Sequence, residues 1–325
     1  MFIYLIRRIL YAIPILIGVC FVTFFLFFMV NSPDDIARMQ LGQKYVTPAQ
    51  IDSWKKVHGY DQPLFYNPHA SGMQYFTQTL FYKKTLKLFA LDFGRSDSGR
   101  NIGQDISERM WPSLTIAIPT LILGILVEVT LALLLVFFRN TYLDLSGMFL
   151  CVILMSISGM FYIIAGQYFF SKLLRLVPIS GYAPGLSALR FVLLPILIGI
   201  VSGIGAGIRW NRSIFLEEIN KDYIRTARAK GLSEIKILFK HMLANGMIPI
   251  LTSVVAIIPL LFMGSLILES FFGIPGLGSY VIDAIGQQDF AIVHVMIFLG
   301  TVLYIFGLVL TDIAYTIVDP RVRLE

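Results

Sequence analysis

The sequence predicts an all-α integral membrane protein with six transmembrane helices. Composition and segmentation predict it. Of 325 residues, 57% are hydrophobic and only 14% are charged, against about 45–50% and about 25% in a soluble domain. The apolar residues gather into six long runs separated by polar segments. Gly and Phe, 26 of each, suit packed membrane helices. Cys20 and Cys151 lie inside apolar runs and read as small hydrophobes, not as a disulfide or metal site.

The first run covers residues 9–30, after a short start ending in Arg7-Arg8. Its length crosses a ~30 Å hydrocarbon core at ~1.5 Å per residue. A signal peptide also begins basic, but its apolar core is only ~7–15 residues long and precedes a small-residue cleavage site. This run is longer and ends Met29-Val-Asn-Ser-Pro33, as an uncleaved first helix would. Residues 31–111 are too long for an idle loop and read as a small folded lid. Thr47 as N-cap and Pro48 at the first helical position start a helix there. A second short helix is expected over 74–88.

Five further runs complete the set: 113–138, 147–170, 188–208, 246–269 and 291–318. Pro14, Pro119, Pro195 and Pro259 fall well inside four of the six and would kink them. Gly199, Gly203 and Gly207, four apart, give the fourth run a small-residue face for close helix approach. Orientation follows from Lys and Arg in short loops. With Met1 inside, segments 1–8, 139–146, 209–245 and 319–325 carry 13 basic residues, and the short outer loops 171–190 and 271–290 carry 3. Both termini are therefore expected in the cytoplasm and the 31–111 lid outside. The net charge of +6 is mainly this bias, met by membrane lipid, and is no argument for nucleic acid.

Several chemistries are missing from the pattern. No G-x-x-x-x-G-K-[ST] is present to cradle ATP phosphates, and Gly273-Ile-Pro-Gly-Leu-Gly278 has no following Lys. There is no H-E-x-x-H, and His58, His69, His241 and His294 fall in different topological regions. No catalytic set, cofactor site or metal site is predicted. Three carboxylates, Glu128, Glu269 and Asp312, lie in or near apolar runs. A charge there costs about 2.5–3.5 kcal/mol on insertion scales and needs a partner or a wet cavity. One reading is interhelical hydrogen bonding, or helix ends at the interface for Glu269 and Asp312. The other is a proton relay through Glu128 and Asp312 in a secondary transporter.

The remaining feature is a charged island, Asp222-Tyr-Ile-Arg-Thr-Ala-Arg-Ala-Lys-Gly-Leu-Ser233, in the cytoplasmic loop 209–245. Acid precedes base, as a helix dipole favours. Gly231 is placed to end the helix and Ser233 to cap a second one leading into the fifth run. A solvated positive-inside loop would carry the same charges. It has no need of Ala227, Ala229 and Gly231, small residues that let another surface come close.

The island resembles the EAA loop of the inner-membrane permease subunits of ABC importers, in the oligopeptide/dipeptide/nickel branch. His241-Met-Leu-Ala-Asn245 with Pro249 and Thr252 is similar to the family's segment just after that loop. Gly264, Glu269, Phe272, Pro275-Gly-Leu-Gly278, Ala284 and Asp289 resemble the family's outer loop after the fifth helix. Asp312, Tyr315 and Asp319-Pro-Arg321 resemble its ending. Asp92-Phe-Gly-Arg-Ser96, Ile106, Glu108-Arg109 and Leu176-Val-Pro-Ile-Ser-Gly181 fit upstream. The resemblance implies a permease subunit of the bacterial inner membrane that hydrolyses nothing itself. Asp222, Tyr223, Arg225, Thr226, Ala227, Arg228, Ala229, Lys230 and Gly231 would form the coupling helix, seated on one of two cytoplasmic ATPase subunits. A second homologous permease would share the path. An external substrate-binding protein would meet the lid and Gly273, Pro275, Gly276 and Gly278. Peptide is the implied solute class. A secondary transporter has no use for a long basic cytoplasmic element, and the two halves show no repeat pairing.

Overall fold

The computed structural model describes residues 2–42, 46–68 and 72–318. Among them there is no strand, only an isolated bridge between Arg95 and Asn101. His69, the Asp319-Pro-Arg321 ending and the 319–325 segment lie outside the described residues. Helix α1 spans Phe2–Val30, longer than the expected 9–30, with Pro14 inside it. The lid holds α2 (Pro33–Leu41), α3 (Pro48–His58), α4 (Gln74–Thr77) and α5 (Leu80–Thr85), with a 3-10 turn over Leu86–Ala90. Helix α6 runs over Ile102–Phe137. Then come α7 (Tyr142–Ser156), α8 (Gly159–Gly166), α9 (Leu189–Glu218), α10 (Asp222–Ala229), α11 (Glu234–Lys236), α12 (Leu243–Ile257), α13 (Leu266–Phe272), α14 (Leu277–Gly286) and α15 (Phe290–Val318). By length and composition, five of these stretches can cross a membrane: Leu10–Val30, Ile102–Phe137, Gly185–Glu218, Glu234–Met263 and Phe290–Ala314. The number rises to seven if each of two sharply bent helix pairs counts as a span.

Four expectations are corrected. The 147–170 run is not one rod. It bends by 89° between α7 and the stretch Gly159–Leu173, because Ile157 and Ser158 turn extended before the helix restarts. Tyr162 Oη donates to the Leu154 carbonyl at 2.8 Å, satisfying an oxygen that the break frees. The 246–269 run begins earlier, in the α11 helix. It tightens into a 3-10 segment over Ile258–Met263 and stops at Gly264. Glu269 therefore sits on the separate helix α13, and Pro259 starts the 3-10 segment instead of kinking a helix interior. The 188–208 run continues to Glu218, since Arg209 and Arg212 do not stop a helix. The expected 74–88 helix is three short pieces.

The chain forms two compact units. In the first, residues 2–109 and 280–309, Phe24 and Phe28 of α1 pack with Ile36, Ile51, Trp54, Tyr60 and Leu80 of the lid. Gln50 Oε1 accepts from the Thr47 N–H at 2.9 Å, closing the predicted start of α3. Asp289 is buried and caps α15, accepting from Ile292 N at 3.4 Å. The same carboxylate accepts from Asp97 N at 3.2 Å and Ser98 N at 3.4 Å, fastening the 97–98 loop. Tyr60 Oη donates to Asp97 at 2.9 Å, and Lys84 lies 4.4 Å over the Tyr60 ring. Burial raises the Asp97 carboxyl and lowers the Lys84 amine from their ordinary values. Asp289→Ala removes a cap and leaves the buried Asp97 N–H and the half-buried Ser98 N–H unpaired. It is expected to cost about 3 kcal/mol, read as a lower thermal midpoint in detergent.

The second unit, residues 110–279 and 310–318, is built around α9. Cys151 of α7 approaches Gly205 so closely that a Cβ there would meet the Cys151 carbonyl at 2.7 Å. Arg212 donates to Asp144 through Nε at 2.9 Å and Nη2 at 2.7 Å, a bidentate pair tying α9 to α7. The glycine face expected on the fourth run is present. A Cβ at Gly199 would press on Thr120 of α6 at 2.8 Å, and one at Gly207 would overlap the Glu128 carboxylate.

Candidate functional site

Helix α10 has two faces. Ile224 and Ala227 are buried with Phe215, Ile237, Leu238 and Met242, and Tyr223 and Leu232 pack against that cluster. Asp222, Arg225, Thr226, Ala229 and Lys230 are exposed. The helix ends in a Schellman arrangement. Gly231 N donates to Arg228 O at 2.9 Å and Leu232 N to Ala227 O at 3.3 Å, with Gly231 at φ +76°. Arg228 then reaches across the turn. Its Nε and Nη2 donate to the Glu234 carboxylate at 2.7 and 3.2 Å. This pair lowers the Glu234 carboxyl below its ordinary value. Glu218 accepts from Tyr223 Oη at 2.6 Å and from Lys221. Burial, then the hydrogen bond to Glu218, push the Tyr223 phenol up to about 12.

Of the nine residues expected to form a coupling helix, three therefore work inward. Ala227 is small because it meets the chain's own core, Tyr223 holds Glu218, and Arg228 clamps α10 to α11. Asp222, Arg225, Thr226, Ala229, Lys230 and Gly231 remain on the open side. The Asp222–Arg225 contact at 3.4 Å is fully at the surface and binds neither side chain tightly.

The glycine-rich stretch 273–278 is organised by Glu269, which is 1% exposed. Its Oε1 accepts from Ser265 N at 2.9 Å, and its Oε2 accepts from Gly278 N at 2.8 Å and Ser279 N at 3.2 Å. Those last two N–H groups belong to the first turn of α14, so Glu269 caps it from a distance. Ser113 Oγ accepts from Leu277 N at 2.8 Å. Gly276 and Gly278 are buried: a Cβ at Gly276 would overlap Glu269, and one at Gly278 would strike the Ser265 backbone at 2.5 Å. Gly273 and Pro275 are exposed. Of the four residues expected to meet a partner outside, only Gly273 and Pro275 offer surface.

Two cavities adjoin along α6, α9 and α12, sharing Thr120, Leu121, Gly199 and Ile257. One, of about 290 Å³, is lined by Glu128 together with Asn211 and Ser253. The other, of about 410 Å³, reaches Ser113 and Glu269. Asp312 is half-buried in α15, has a partner, and does not line the Glu128 cavity. Asn211 and Ser113 were not legible as site residues, because each stands beside the charged or proline-marked end of an apolar run. Glu218 has a signal that could have found it: an acid one turn before Lys221 and Tyr223.

Two family models match the chain. One, the binding-protein-dependent transport system inner membrane component, covers residues 128–324. The other, the N-terminal part of a binding-protein-dependent transport system membrane component, covers residues 1–90. The chain is 32% identical over 327 residues to a putative peptide transport system permease protein of Brucella abortus (strain 2308), covering 99% of each. It is 32% identical over 250 residues to a dipeptide transport system permease protein of Bacillus subtilis (strain 168), covering 76% of this chain and 79% of the relative. It is 30% identical over 325 residues to a glutathione transport system permease protein of Salmonella paratyphi A, covering 99% of each.

Proposed function

The chain belongs to the family of binding-protein-dependent transport system inner membrane components, and from that premise we propose that it is one of two permease subunits of an ATP-driven peptide importer. It is a multi-pass inner-membrane protein and a transport subunit. The finer reading is six crossings, the five long helices plus the bent pair Tyr142–Leu173, with both termini in the cytoplasm. The pair α13–α14 then re-enters the outer face. Peptide as the solute follows from what the relatives are named for: peptide, dipeptide and glutathione transport.

The observation that carries the coupling role is the two-sided build of α10. Its inner side is fixed in a core that includes Leu133 and Val136 of α6 and Phe215 of α9. A push on its outer side therefore moves two long helices, not a loop. An ATPase pair that closes on ATP would draw α10 and its counterpart in a homologous permease together. The helices would then open outward, toward a substrate-binding protein docked on the lid and on Gly273 and Pro275. Such a shift requires ATP to favour one state over the other; docking alone moves nothing.

A cysteine in place of Ala229 is expected to crosslink to an ATPase subunit in the assembled importer, whereas one in place of the buried Ala227 is not. Absence of crosslinks from 222, 225, 226, 229 and 230 alike would remove α10 as the docking element. Solute uptake by the purified chain alone would instead assign a proton-coupled mechanism through Glu128 and Asp312.

A further inference from the structure

The Glu128 cavity holds polar groups that the protein leaves unsatisfied. No hydrogen bond or ion pair reaches the Glu128 carboxylate among the described residues. Thr120 Oγ1 is buried and likewise unpartnered. Asn211, 4% exposed, lines the same cavity, and its amide has no partner among the described residues. The opposite helix, α9, presents only glycine backbone to the Glu128 carboxylate, which lies against it. A Cβ added at Gly207 would overlap the carboxylate, and one added at Gly203 would stand 3.9 Å from Oε1. Neither Lys nor Arg lines the cavity. A carboxylate in a membrane-spanning helix needs a partner or water, and here the chain supplies no cation.

We propose that this cavity is a cation subsite on the translocation path, where Glu128 receives the protonated amine of the passing solute. An ammonium group has three donors and no acceptor. The cavity offers it the complement: two carboxylate oxygens, the Asn211 amide oxygen and the Thr120 and Ser253 hydroxyls. A solute carboxylate would find no positive group to meet. The adjoining apolar cavity over Ile116, Leu121 and Leu261 takes an uncharged part of the solute. The subsite rests on the peptide-importer reading and adds which end of the peptide the path holds.

The test uses the complete importer in proteoliposomes, with trialanine and N-acetyl-trialanine as probes. Glu128→Gln keeps the shape and removes the charge. Uptake of trialanine is expected to fall about tenfold, in line with loss of a charge-assisted hydrogen bond. Uptake of the acetylated peptide, relative to wild type, is expected to stay within about twofold. If the binding protein rejects the acetylated peptide, the comparison is read from the emission of Trp210, on the cavity wall, as each peptide is titrated into the detergent-solubilised complex. Equal loss for both peptides, or loss for neither, overturns the cation subsite while ATP-driven wild-type uptake leaves the importer reading standing. If wild type carries neither peptide, the peptide solute and the subsite that rests on it both fall, while the crosslinks from α10 still decide the importer reading.

Discussion

Replacing Glu269 with Ala is expected to cost about 4 kcal/mol or more of stability and to abolish uptake. The side chain is almost wholly enclosed and accepts three backbone N–H groups, from Ser265, Gly278 and Ser279. Truncation leaves the buried Gly278 and Ser279 N–H groups, and the half-buried Ser265 N–H, without partners, at roughly 1–3 kcal/mol for each buried group when nothing replaces the acceptor. Glu269→Gln should be milder but still damaging. One carboxylate oxygen survives, while the amide nitrogen is turned toward a donor whichever way it points. The surrounding glycines predict a matching series. Gly264 has φ +68° and ψ −174°, a region open essentially only to glycine, and its Cβ would also overlap Glu269. Gly278→Ala drives a Cβ into backbone at 2.5–2.7 Å, which cannot rotate away, so it should resemble Glu269→Ala. Thermal unfolding in detergent together with uptake in proteoliposomes checks the series. Wild-type behaviour of Gly278→Ala would refute the cradle.

The Glu269 cradle also shows why some of the molecule was legible in the sequence and some was not. An apolar run announces a helix but not where it breaks. Gly264 stands in an unbroken oily stretch, so the run reads straight through to Glu269. The break exists because Glu269 gathers N–H groups from a later helix, beside Ser113, which lies 164 residues before its partner Leu277. Hydropathy carries no such long-range information. The glycines of 273–278 read as an outer contact loop. Gly276 instead lies against an internal carboxylate and Gly278 against the Ser265 backbone, and only 273 and 275 face outward. On α10 the stop at Gly231 was legible because αL geometry is a local property of glycine. The inward role of Ala227 was missed: its smallness reads as admitting another surface, although its spacing with Tyr223 and Ile224 puts the three on one helical face. Glu128 was visible as an intramembrane acid. That it lacks a partner depends on α9, 70 or more residues later, presenting glycine at 203 and 207.

Gly231→Val is expected to reduce uptake at least about tenfold without affecting membrane insertion. A β-branched residue at φ +76° is strained by roughly 1–2 kcal/mol, and no atom lies within 4 Å of the added Cβ. The penalty is therefore in the backbone alone, and the chain escapes it only by abandoning the left-handed turn. Doing so breaks the bonds from Gly231 N to Arg228 and from Leu232 N to Ala227. It also turns Arg228 away from Glu234, the bidentate link that fixes α10 against α11. An eight-residue helix has little stability of its own. Its outward face keeps its direction through these contacts and the packing of Ile224 and Ala227. Since about 1.4 kcal/mol is a factor of ten in a conformational equilibrium, a strain of this size depopulates the docking geometry by about that factor. The alternatives at 231 should then rank by their tolerance of left-handed backbone: Asn close to wild type, Ala intermediate, Val worst. Uptake and binding-protein-stimulated ATP hydrolysis should fall in that order, while basal hydrolysis by the ATPase subunits persists. If size governed instead, Asn would fare worse than Ala. That outcome would mean the partner surface, and not the turn, sets the requirement for glycine.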